Sequence, residues 1–240
     1  MTTIKIIHLY PKSMNLYGDH GNILTLKKRL EWRGMGAEII NHDIDDSTDF
    51  SQADIVVGGG GQDAQQDQIQ TDLLRHKAEL ASLVERNVPM LLVCGMYQLF
   101  GKSFITEASE TIEGLDILPI DTRAGQSRLT GNIIIDSERF GYIVGYENHS
   151  GQTHLDDDSS PLGQVVLGAG NNADDGHEGI IYRNIIATYL HGPILPRNPQ
   201  VADYLIAQAL KNKGIKNQLE ELPIDNLAYL AQKDALERKR

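Results

Sequence analysis

The sequence is poor in cysteine, tryptophan and aromatic residues. Of its 240 residues one is cysteine (Cys94), one is tryptophan, and 6% are aromatic. A single cysteine cannot form an internal disulfide, which favours a reducing compartment. The opening MTTIKIIHLY is too short and too polar for a signal peptide, and no apolar run approaches the roughly 18 residues of a membrane span. We therefore predict a cytoplasmic location.

Positive charge is also scarce. The 22 Lys and Arg residues face 33 Asp and Glu residues, which gives a formal net charge of -11. This balance argues against broad contact with nucleic acid, because such contact needs a basic face. Hydrophobic residues make up 40% of the chain and charged residues 23%, as in ordinary globular proteins that bury a sizeable core.

Apolar segments alternate with amphipathic segments in the first half of the chain. The spacing predicts a helix after the first strand that ends near Gly34, one long helix over 66–87 and another helix that begins at Gly95. Such alternation favours an α/β fold with a mainly parallel sheet. The predicted strands are IKIIHLY, AEIINHD, ADIVVGGGG and MLLV.

The second half predicts shorter strands, partly antiparallel, with glycine-rich turns. They are NIIIDSE, YIVGYE, QVVLGAG and IIYRNIIATYLHG. A helix is predicted over 199–212, so we assign residues 1–212 to one domain and 213–240 to a tail. In that tail Asp225 is expected to cap a short helix that is a candidate for partner contact. Its apolar side would carry Leu227, Leu230, Ala231 and Leu236.

Cys94 lies in LLVCGMYQLFG, where a strand is predicted to end and a helix to begin. Ligands gather at the carboxyl ends of strands in open α/β sheets, and a sharp turn there presents a nucleophile. The helix N-terminus is expected to lower the pKa of the thiol. A small buried hydrophobic role for Cys94 remains an equal alternative on position alone.

Two further features support a catalytic role for Cys94. Gly58–Gly61 follow the preceding strand and could present backbone N–H groups to an oxyanion, as could the N–H of Gly95. His191 follows the strand IIATYL and could take the thiol proton. The alternatives are a simple tight turn for the glycines and a hydrogen-bonded surface position for the histidine.

Nucleotide and metal motifs are not found. GMYQLFGKS differs from a phosphate-binding loop because five residues, rather than four, separate Gly95 from Gly101. The eight histidines form no metal-ligand pattern such as H-E-x-x-H, so no metal site is predicted.

The combination of Cys94, Gln98 four residues later and His191 about a hundred residues on resembles class I glutamine amidotransferases. CGMYQLFG, GYENHSGQT and YLHGP are similar to the cobyric-acid-synthase (CobB/CobQ-like) branch. LYPKSMNLYGDHGNILTLKKR and GGGGQDAQQDQ resemble, more narrowly, the amidotransferase subunits of lipid II isoglutaminyl synthases. The resemblance covers about residues 5 to 210. It implies a three-layer, flavodoxin-like α/β fold.

The resemblance also implies an activity and a partner. Such subunits hydrolyse glutamine to glutamate and ammonia. The ammonia passes to a Mur-ligase-like partner, MurT, which amidates D-glutamate in the lipid II stem peptide to D-isoglutamine during peptidoglycan synthesis. ATP and magnesium are expected on the partner and no cofactor in this chain. The lipid-linked acceptor would bring the heterodimer to the inner face of the membrane.

Catalytic roles follow from the same resemblance. Cys94 would attack the glutamine amide, and N–H groups of Gly60 and Gly95 would hold the oxyanion. His191 would protonate ammonia and then activate water.

Binding of the substrate is implied for a second group of residues. Arg128, in QSRLTGN, matches the arginine that holds the substrate carboxylate, for which a planar guanidinium is suited; an exposed surface arginine is the alternative. The other substrate-binding candidates are Gln98, Asn148 and His149.

The sequence departs from the wider class at two places. Most members carry His-Pro-Glu, whereas here Gly192 and Pro193 follow the histidine and no acid orients it; Leu92 replaces a common glycine. In the resembled family the partner is thought to supply an aspartate, and Asp19 or Glu147 are local alternatives. Other readings are an amidotransferase for a corrinoid acceptor, and a non-catalytic or redox-sensing cysteine protein of the DJ-1 type.

Overall fold

The computed structural model describes residues 2–216 and 219–237. Within these ranges the chain alternates strands and helices in its first half and is mostly strand in its second. The strands are β1 (Thr3–Leu9), β2 (Gly36–His42), β3 (Ile55–Gly58), β4 (Met90–Val93), β5 (Ser103–Ile105), β6 (Thr111–Glu113), β7 (Ile120–Ser137), β8 (Gly141–Leu155), β9 (Gly163–Leu167), β10 (His177–Glu178), β11 (Ile180–Tyr182) and β12 (Ile185–Thr188).

The helices lie between the strands of the first half and at the C-terminal end. The helices are α1 (His20–Trp32), α2 (Asp63–Arg75), α3 (Lys77–Glu85), α4 (Gly95–Phe100), α5 (Ile194–Arg197), α6 (Pro199–Asn212) and α7 (Asp225–Glu237). Within the described ranges, no helix has both the length and the apolar character needed to cross a membrane.

A six-stranded sheet forms the centre of the molecule. Its order is β11-β12-β4-β3-β1-β2, and all neighbours are parallel except the edge strand β11, which is antiparallel to β12. Strands β3, β4 and β12 are buried along their whole length because apolar residues point to both faces. The α/β class with a mainly parallel sheet is therefore confirmed. The carboxyl ends of β3, β4 and β12 lie side by side.

The predicted single helix over 66–87 is wrong. The segment forms α2 and α3, which are separated at His76, where φ is -93° and ψ is 7°. No glycine or proline marks the break. Instead the imidazole of His76 packs against the rings of His42 and Phe50, with centroid distances of 4.8 Å and 4.9 Å. The break therefore coincides with a tertiary contact, although the apolar spacing along the chain is continuous.

A second sheet is formed by strands β5 to β10. Its order is β10-β9-β7-β5-β6, and β8 pairs with β7. The predicted antiparallel pairing is confirmed, but the expectation of short strands is wrong, since β7 has 18 residues and β8 has 15. Polar stretches that lack apolar alternation still pair through the backbone, with a bulge between Ala124 and Leu129. A bridge between Tyr146 and His191 joins β8 to the segment after β12.

The C-terminal helix α7 lies against the domain. Asp225 is its first residue, and its carboxylate accepts hydrogen bonds of 2.6 Å and 2.8 Å from Arg29. Gln232 donates to the carbonyl of Arg197 at 2.8 Å. Leu227 and Leu230, on the predicted apolar side, are each 63% exposed. Helix α7 is therefore anchored through polar contacts, while the predicted apolar side faces solvent.

Candidate active site

Cys94 occupies the turn between β4 and α4. Its N–H donates to the carbonyl of Thr188 at the end of β12, and its own carbonyl accepts from the N–H of Gln98. The backbone at Cys94 has φ of 51° and ψ of -106°, which is unfavourable for a residue with a Cβ atom. Strain of this kind clusters at functional sites, and the same strand-turn-helix arrangement presents nucleophiles in hydrolases.

Burial raises the pKa of the Cys94 thiol to about 12. The nearby Asp19 carboxylate acts in the same direction, whereas a hydrogen bond from the N–H of Gly95 opposes the rise. The expectation of a low thiol pKa is therefore wrong, because the helix terminus does not offset the loss of solvation. A base is needed to generate the thiolate.

The four glycines Gly58–Gly61, which are the last residue of β3 and the three that follow it, are required by close packing. None of them has a positive φ, but a Cβ at each would meet another atom. At Gly60 it would lie 3.0 Å from Cε1 of His191 and 3.2 Å from Cβ of Cys94. Because Gly60 has no side chain, the turn that carries Cys94 and the imidazole of His191 can both pack against it.

The predicted oxyanion donor of the glycine loop is already in a hydrogen bond. The N–H of Gly60 donates to Oδ2 of Asp19 at 2.9 Å. Asp19 is fully buried, burial raises its pKa to about 6, and its Oδ1 has no hydrogen-bond partner. An oxyanion at Cys94 would have to replace this carboxylate to use the N–H of Gly60, so the role of Gly60 stays a prediction.

His191 faces the same loop and is 1% exposed. Its backbone pairs with Tyr146, and its ring lies 4.1 Å from the ring of Tyr17. Burial lowers the pKa of His191 to about 3, with further lowering by His149 and Arg128. Both ring nitrogens are buried without a hydrogen-bond partner. The imidazole is therefore neutral, as a general base must be, but nothing in the described chain holds it by a hydrogen bond.

The two local candidates for a third acid are engaged elsewhere. Asp19 accepts from Gly60, as above. Glu147 accepts from the N–H groups of Ala169 and Gly170 at 2.9–3.0 Å. Neither carboxylate hydrogen-bonds to an imidazole nitrogen of His191.

A cavity of about 290 Å³ opens beside the thiol. Its size lies near the lower end of small-molecule sites. Arg128, on the bulge of β7, reaches it, and its Nε donates to Oδ1 of Asn148 at 2.5 Å while Nη2 donates to the hydroxyl of Tyr17 at 2.9 Å. Cys94, Gln98 and His149 also line it. The cavity therefore joins the thiol to a cation fixed in orientation, as a substrate with a carboxylate requires.

Gln98 and His149 belong to a buried polar network behind the thiol. The side chain of Gln98 accepts from Gln66 at 2.7 Å and donates to the hydroxyl of Tyr189 at 3.0 Å. His149 stacks on Tyr189 with 3.6 Å between ring centroids, and burial lowers its pKa to about 4. In this arrangement both side chains brace the cavity wall, and their predicted contact with substrate stays a prediction.

Sequence reasoning missed Tyr17, Gln66 and Tyr189. Tyr17 connects Arg128 to His191, and the other two fix Gln98. Tyr17 and Gln66 lie in the motifs LYPKSMNLYGDHGN and GGGGQDAQQDQ, and Tyr189 directly precedes LHGP. The location of these three residues in or beside the family motifs could have drawn attention to them, but residue spacing alone does not indicate what they do.

Comparison with protein families gives one match over most of the chain. Residues 5–199 match the CobB/CobQ-like glutamine amidotransferase domain. The matched range contains every residue of the site described above.

Two curated relatives are similar over nearly their whole length. The chain is 41% identical over 236 residues to the lipid II isoglutaminyl synthase (glutamine-hydrolyzing) subunit GatD of Staphylococcus aureus (strain N315), covering 98% of this chain and 96% of that protein. It is 40% identical to the subunit of the same name from Streptococcus pneumoniae, covering 88% and 82% respectively. A probable cobyric acid synthase of Methanothermobacter thermautotrophicus is 30% identical, but over 55% of this chain and 29% of that protein.

Solved structures support the fold. A crystal structure of a glutamine amidotransferase superposes with a TM-score of 0.55 at 16% identity, covering 85% of this chain and 98% of the other. A glutamine amidotransferase from Thermotoga maritima gives a TM-score of 0.51 at 12% identity, covering 96% and 91%. These likenesses concern the fold, which is that of class I amidotransferases.

Proposed function

Because this chain belongs to the CobB/CobQ-like glutamine amidotransferase family, we propose that it hydrolyses L-glutamine to glutamate and ammonia as the glutamine-hydrolysing subunit of a lipid II isoglutaminyl synthase. Two relatives of that name at 40–41% identity support the assignment. One structural observation supports the chemistry: Cys94 and His191 both lie next to Gly60, and Cys94 lines a cavity that Arg128 also lines.

The reaction begins from a neutral thiol and a neutral imidazole. Glutamine enters with its α-carboxylate on the guanidinium of Arg128 and its amide carbon at Sγ of Cys94. The thiol proton moves to His191 as Sγ attacks, and the carbonyl oxygen becomes an oxyanion facing backbone N–H groups. His191 returns the proton to the leaving nitrogen, which departs as ammonia and leaves a glutamyl thioester. His191 then takes a proton from water, which attacks the thioester, and gives that proton to Sγ of Cys94 as the S–C bond breaks and glutamate leaves.

The third catalytic acid is proposed to come from the partner subunit. Both ring nitrogens of His191 are without a hydrogen bond, and the nearby carboxylates of Asp19 and Glu147 are held by backbone N–H groups. An aspartate of a Mur-ligase-like partner, MurT, would fix the tautomer of His191 and stabilise the imidazolium. The ring of Tyr17 covers His191, so a shift of this side chain would accompany assembly.

The partner would use the ammonia. It would hold ATP and magnesium and amidate D-glutamate in the lipid II stem peptide, which gives D-isoglutamine for peptidoglycan. A cytoplasmic complex that meets its lipid-linked acceptor at the membrane follows from this assignment. The domain boundary at residue 212 and the contact of α7 with the partner stay predictions; the exposed Leu227 and Leu230 are available on that helix.

Glutamate release by the purified chain, alone and with the Mur-ligase-like partner, tests the proposal. We expect weak activity alone, strong stimulation by the partner, and amidated lipid II with ATP. The Cys94→Ser complex should amidate with ammonium chloride but not with glutamine. Intact glutamine-dependent amidation by Cys94→Ser would refute the assignment.

The other readings make different predictions. A corrinoid-acceptor enzyme would couple glutamine hydrolysis to a cobyric-acid-type synthetase and not to the Mur-ligase-like partner. A redox sensor of the DJ-1 type would use the thiol without His191 or Arg128. It would therefore show equal thiol reactivity in the wild type and His191→Ala, and no glutamine turnover with any partner.

A further inference from the structure

A second cluster of side chains lies at the carboxyl end of β2. His42 is the last residue of that strand, Asp72 lies on α2, and His76 is the residue between α2 and α3. Each offers one ligand atom, and these atoms all lie within 4.8 Å of one another. Among the described residues this is the one group of three or more His, Cys, Asp or Glu side chains so placed. We call it the β2 cluster.

His42 presents a ring nitrogen to the centre of the cluster. Its side chain is fully buried, and Nδ1 lies 3.0 Å from the hydroxyl of Thr48. Nε2 is buried without a hydrogen-bond partner, and Oδ2 of Asp72 lies 3.4 Å from it. With the proton on Nδ1 and bonded to Thr48, the lone pair of Nε2 faces a carboxylate oxygen. A cation between these two atoms would satisfy both.

Asp72 is fixed by hydrogen bonds from two neighbouring segments. Its carboxylate accepts from the hydroxyl of Tyr10 at 2.8 Å and from the N–H of Asp45 at 3.2 Å. Arg75 approaches Oδ1 at 3.6 Å from the solvent side. The carboxylate is therefore fixed in place from two elements, as a metal-binding carboxylate usually is.

His76 is oriented by an acid of its own. Its Nδ1 lies 2.6 Å from Oε2 of Glu79 on α3, one helical turn later. A proton on Nδ1 shared with this carboxylate leaves the lone pair on Nε2. Carboxylate–histidine pairs of this kind orient metal-binding imidazoles and raise their basicity. The break between α2 and α3 gives His76 the position from which its ring meets that of His42 at 89°.

We propose that His42, Asp72 and His76 bind a divalent transition-metal ion, zinc in the first place, which fastens the α2–α3 junction to the edge of the central sheet. Two imidazoles and one carboxylate suit zinc, and tetrahedral zinc with bonds of about 2.0–2.1 Å places neighbouring ligand atoms about 3.3 Å apart. His42 and Asp72 already have that spacing, at 3.4 Å. The fourth position is left for water.

The surroundings also favour a cation. Asp43, Asp45 and Asp46 form the loop that follows His42, and two basic side chains pair with this loop, Arg75 with Asp45 and Lys12 with Asp43. Phe50 closes the apolar side by packing on both imidazoles, with centroid distances of 4.9 Å to each. A desolvated site with fixed ligands and an acidic rim is the arrangement that retains a metal ion.

The test is a zinc titration of the full chain in competition with a chromophoric indicator. The Cys94→Ser background removes the thiol, which itself could bind zinc. We expect one equivalent to bind, and the thermal midpoint to rise with zinc concentration. His76→Gln should abolish this binding, and Glu79→Gln should weaken it about tenfold, as loss of a residue that orients a metal ligand does.

Two matched controls separate this site from general histidine binding. His177→Gln removes an exposed histidine that also lies near a carboxylate, Asp175 at 4.0 Å, and Glu85→Gln removes an exposed acid on the same helix as Glu79. Both should bind zinc like the background. His76 and Glu79 are partly exposed, so their variants should fold, which circular dichroism checks. Absence of saturable zinc binding in the background, or equal affinity in His76→Gln, overturns the proposal.

Discussion

The catalytic corner (Gly60, Cys94 and His191) and the β2 cluster both lie at carboxyl ends of parallel strands, and each contains a buried histidine with an unpartnered nitrogen. They differ in whether a carboxylate lies beside each histidine. In the β2 cluster, His42 has Asp72 at 3.4 Å and His76 has Glu79 at 2.6 Å. At the catalytic corner, neither nitrogen of His191 has a hydrogen-bond partner among the described residues.

This contrast indicates that this chain supplies every group that the β2 cluster needs, but not every group that the catalytic corner needs. The β2 cluster has ligands, the groups that orient them and an apolar wall, all from this chain. The catalytic corner places the predicted nucleophile, Cys94, near the predicted base, His191, but among the described residues no acid hydrogen-bonds to that imidazole. A subunit that works at full rate only when a partner supplies that acid would avoid hydrolysing glutamine when no acceptor is present.

The largest effect is expected from Cys94→Ser. Loss of the nucleophile should reduce glutamine hydrolysis by the complex at least about a thousandfold. Because the two corners share no residue, the thermal midpoint and zinc affinity should stay close to those of the wild type. Glutamate assays and thermal melts on the same preparations check both statements. A parallel loss of zinc affinity would break the comparison by showing that the corners are coupled.

His191→Asn is expected to come next. Loss of the base should lower kcat about 10²–10⁴-fold in the complex. The chain alone should lose proportionally less, because His191 is not oriented there. Steady-state kinetics of wild type and variant, each with and without partner, measure the difference. Equal fold losses in the two states would mean that the partner does not act through this histidine.

Arg128→Gln should act on substrate binding. A charge-assisted pair contributes about 1.5–3 kcal/mol, so KM for glutamine should rise about 10–100-fold with a smaller change in kcat. Arg123→Gln, at an exposed position on the same strand, is the matched control and should leave KM unchanged. A fall in kcat at constant KM would instead place Arg128 in the chemistry itself.

Asp19→Asn should have the smallest effect on catalysis and a measurable one on stability. The folded-state pKa of about 6 lies above the ordinary 3.8, so wild-type stability falls as pH rises through that interval. Asparagine avoids the buried charge and keeps an oxygen for the N–H of Gly60. We expect the free energy of unfolding to rise by on the order of 2 kcal/mol at pH 7.5, with little change below pH 4.

Denaturant titrations at the two pH values check the stability of Asp19→Asn. The glutaminase activity of the same variant tests whether the catalytic corner lacks an acid of its own. If glutaminase activity in the complex falls less than about tenfold, Asp19 is not the acid that orients His191. A loss of a hundredfold or more would mean that Asp19 leaves Gly60 on assembly and takes that role.

Much of the central sheet could be predicted from the sequence, because local patterns encode it. β1–β4, the helix over 199–212 and the turn at Cys94 follow from apolar runs and glycine positions. The helix break at His76 could not be predicted, because no glycine or proline marks it and the ring contacts found there involve His42 and Phe50, which are distant in the chain. The long β7–β8 hairpin was missed since its polar half pairs through the backbone, which carries no apolar signal.

Part of the site's geometry agrees with the sequence expectation, and the catalytic and binding roles stay predictions. Cys94 and Arg128 line one cavity, and His191 lies against the glycine loop next to Cys94. The thiol pKa was wrong in direction, because a helix terminus is visible in a sequence while the depth of burial is not. Tyr17 and Tyr189 were missed because their contacts join segments more than 90 residues apart.

The sequence by itself determined the parallel core, the place of Cys94 at a strand-to-helix turn and the family, since short runs of neighbouring residues encode each of them. Only the tertiary structure decided which histidine has an acid and which has none. It also brought together His42, Asp72 and His76, which no spacing motif connects. The physical reason is that burial and hydrogen bonding, which set the charge and reactivity of a side chain, come from whichever segments pack around it.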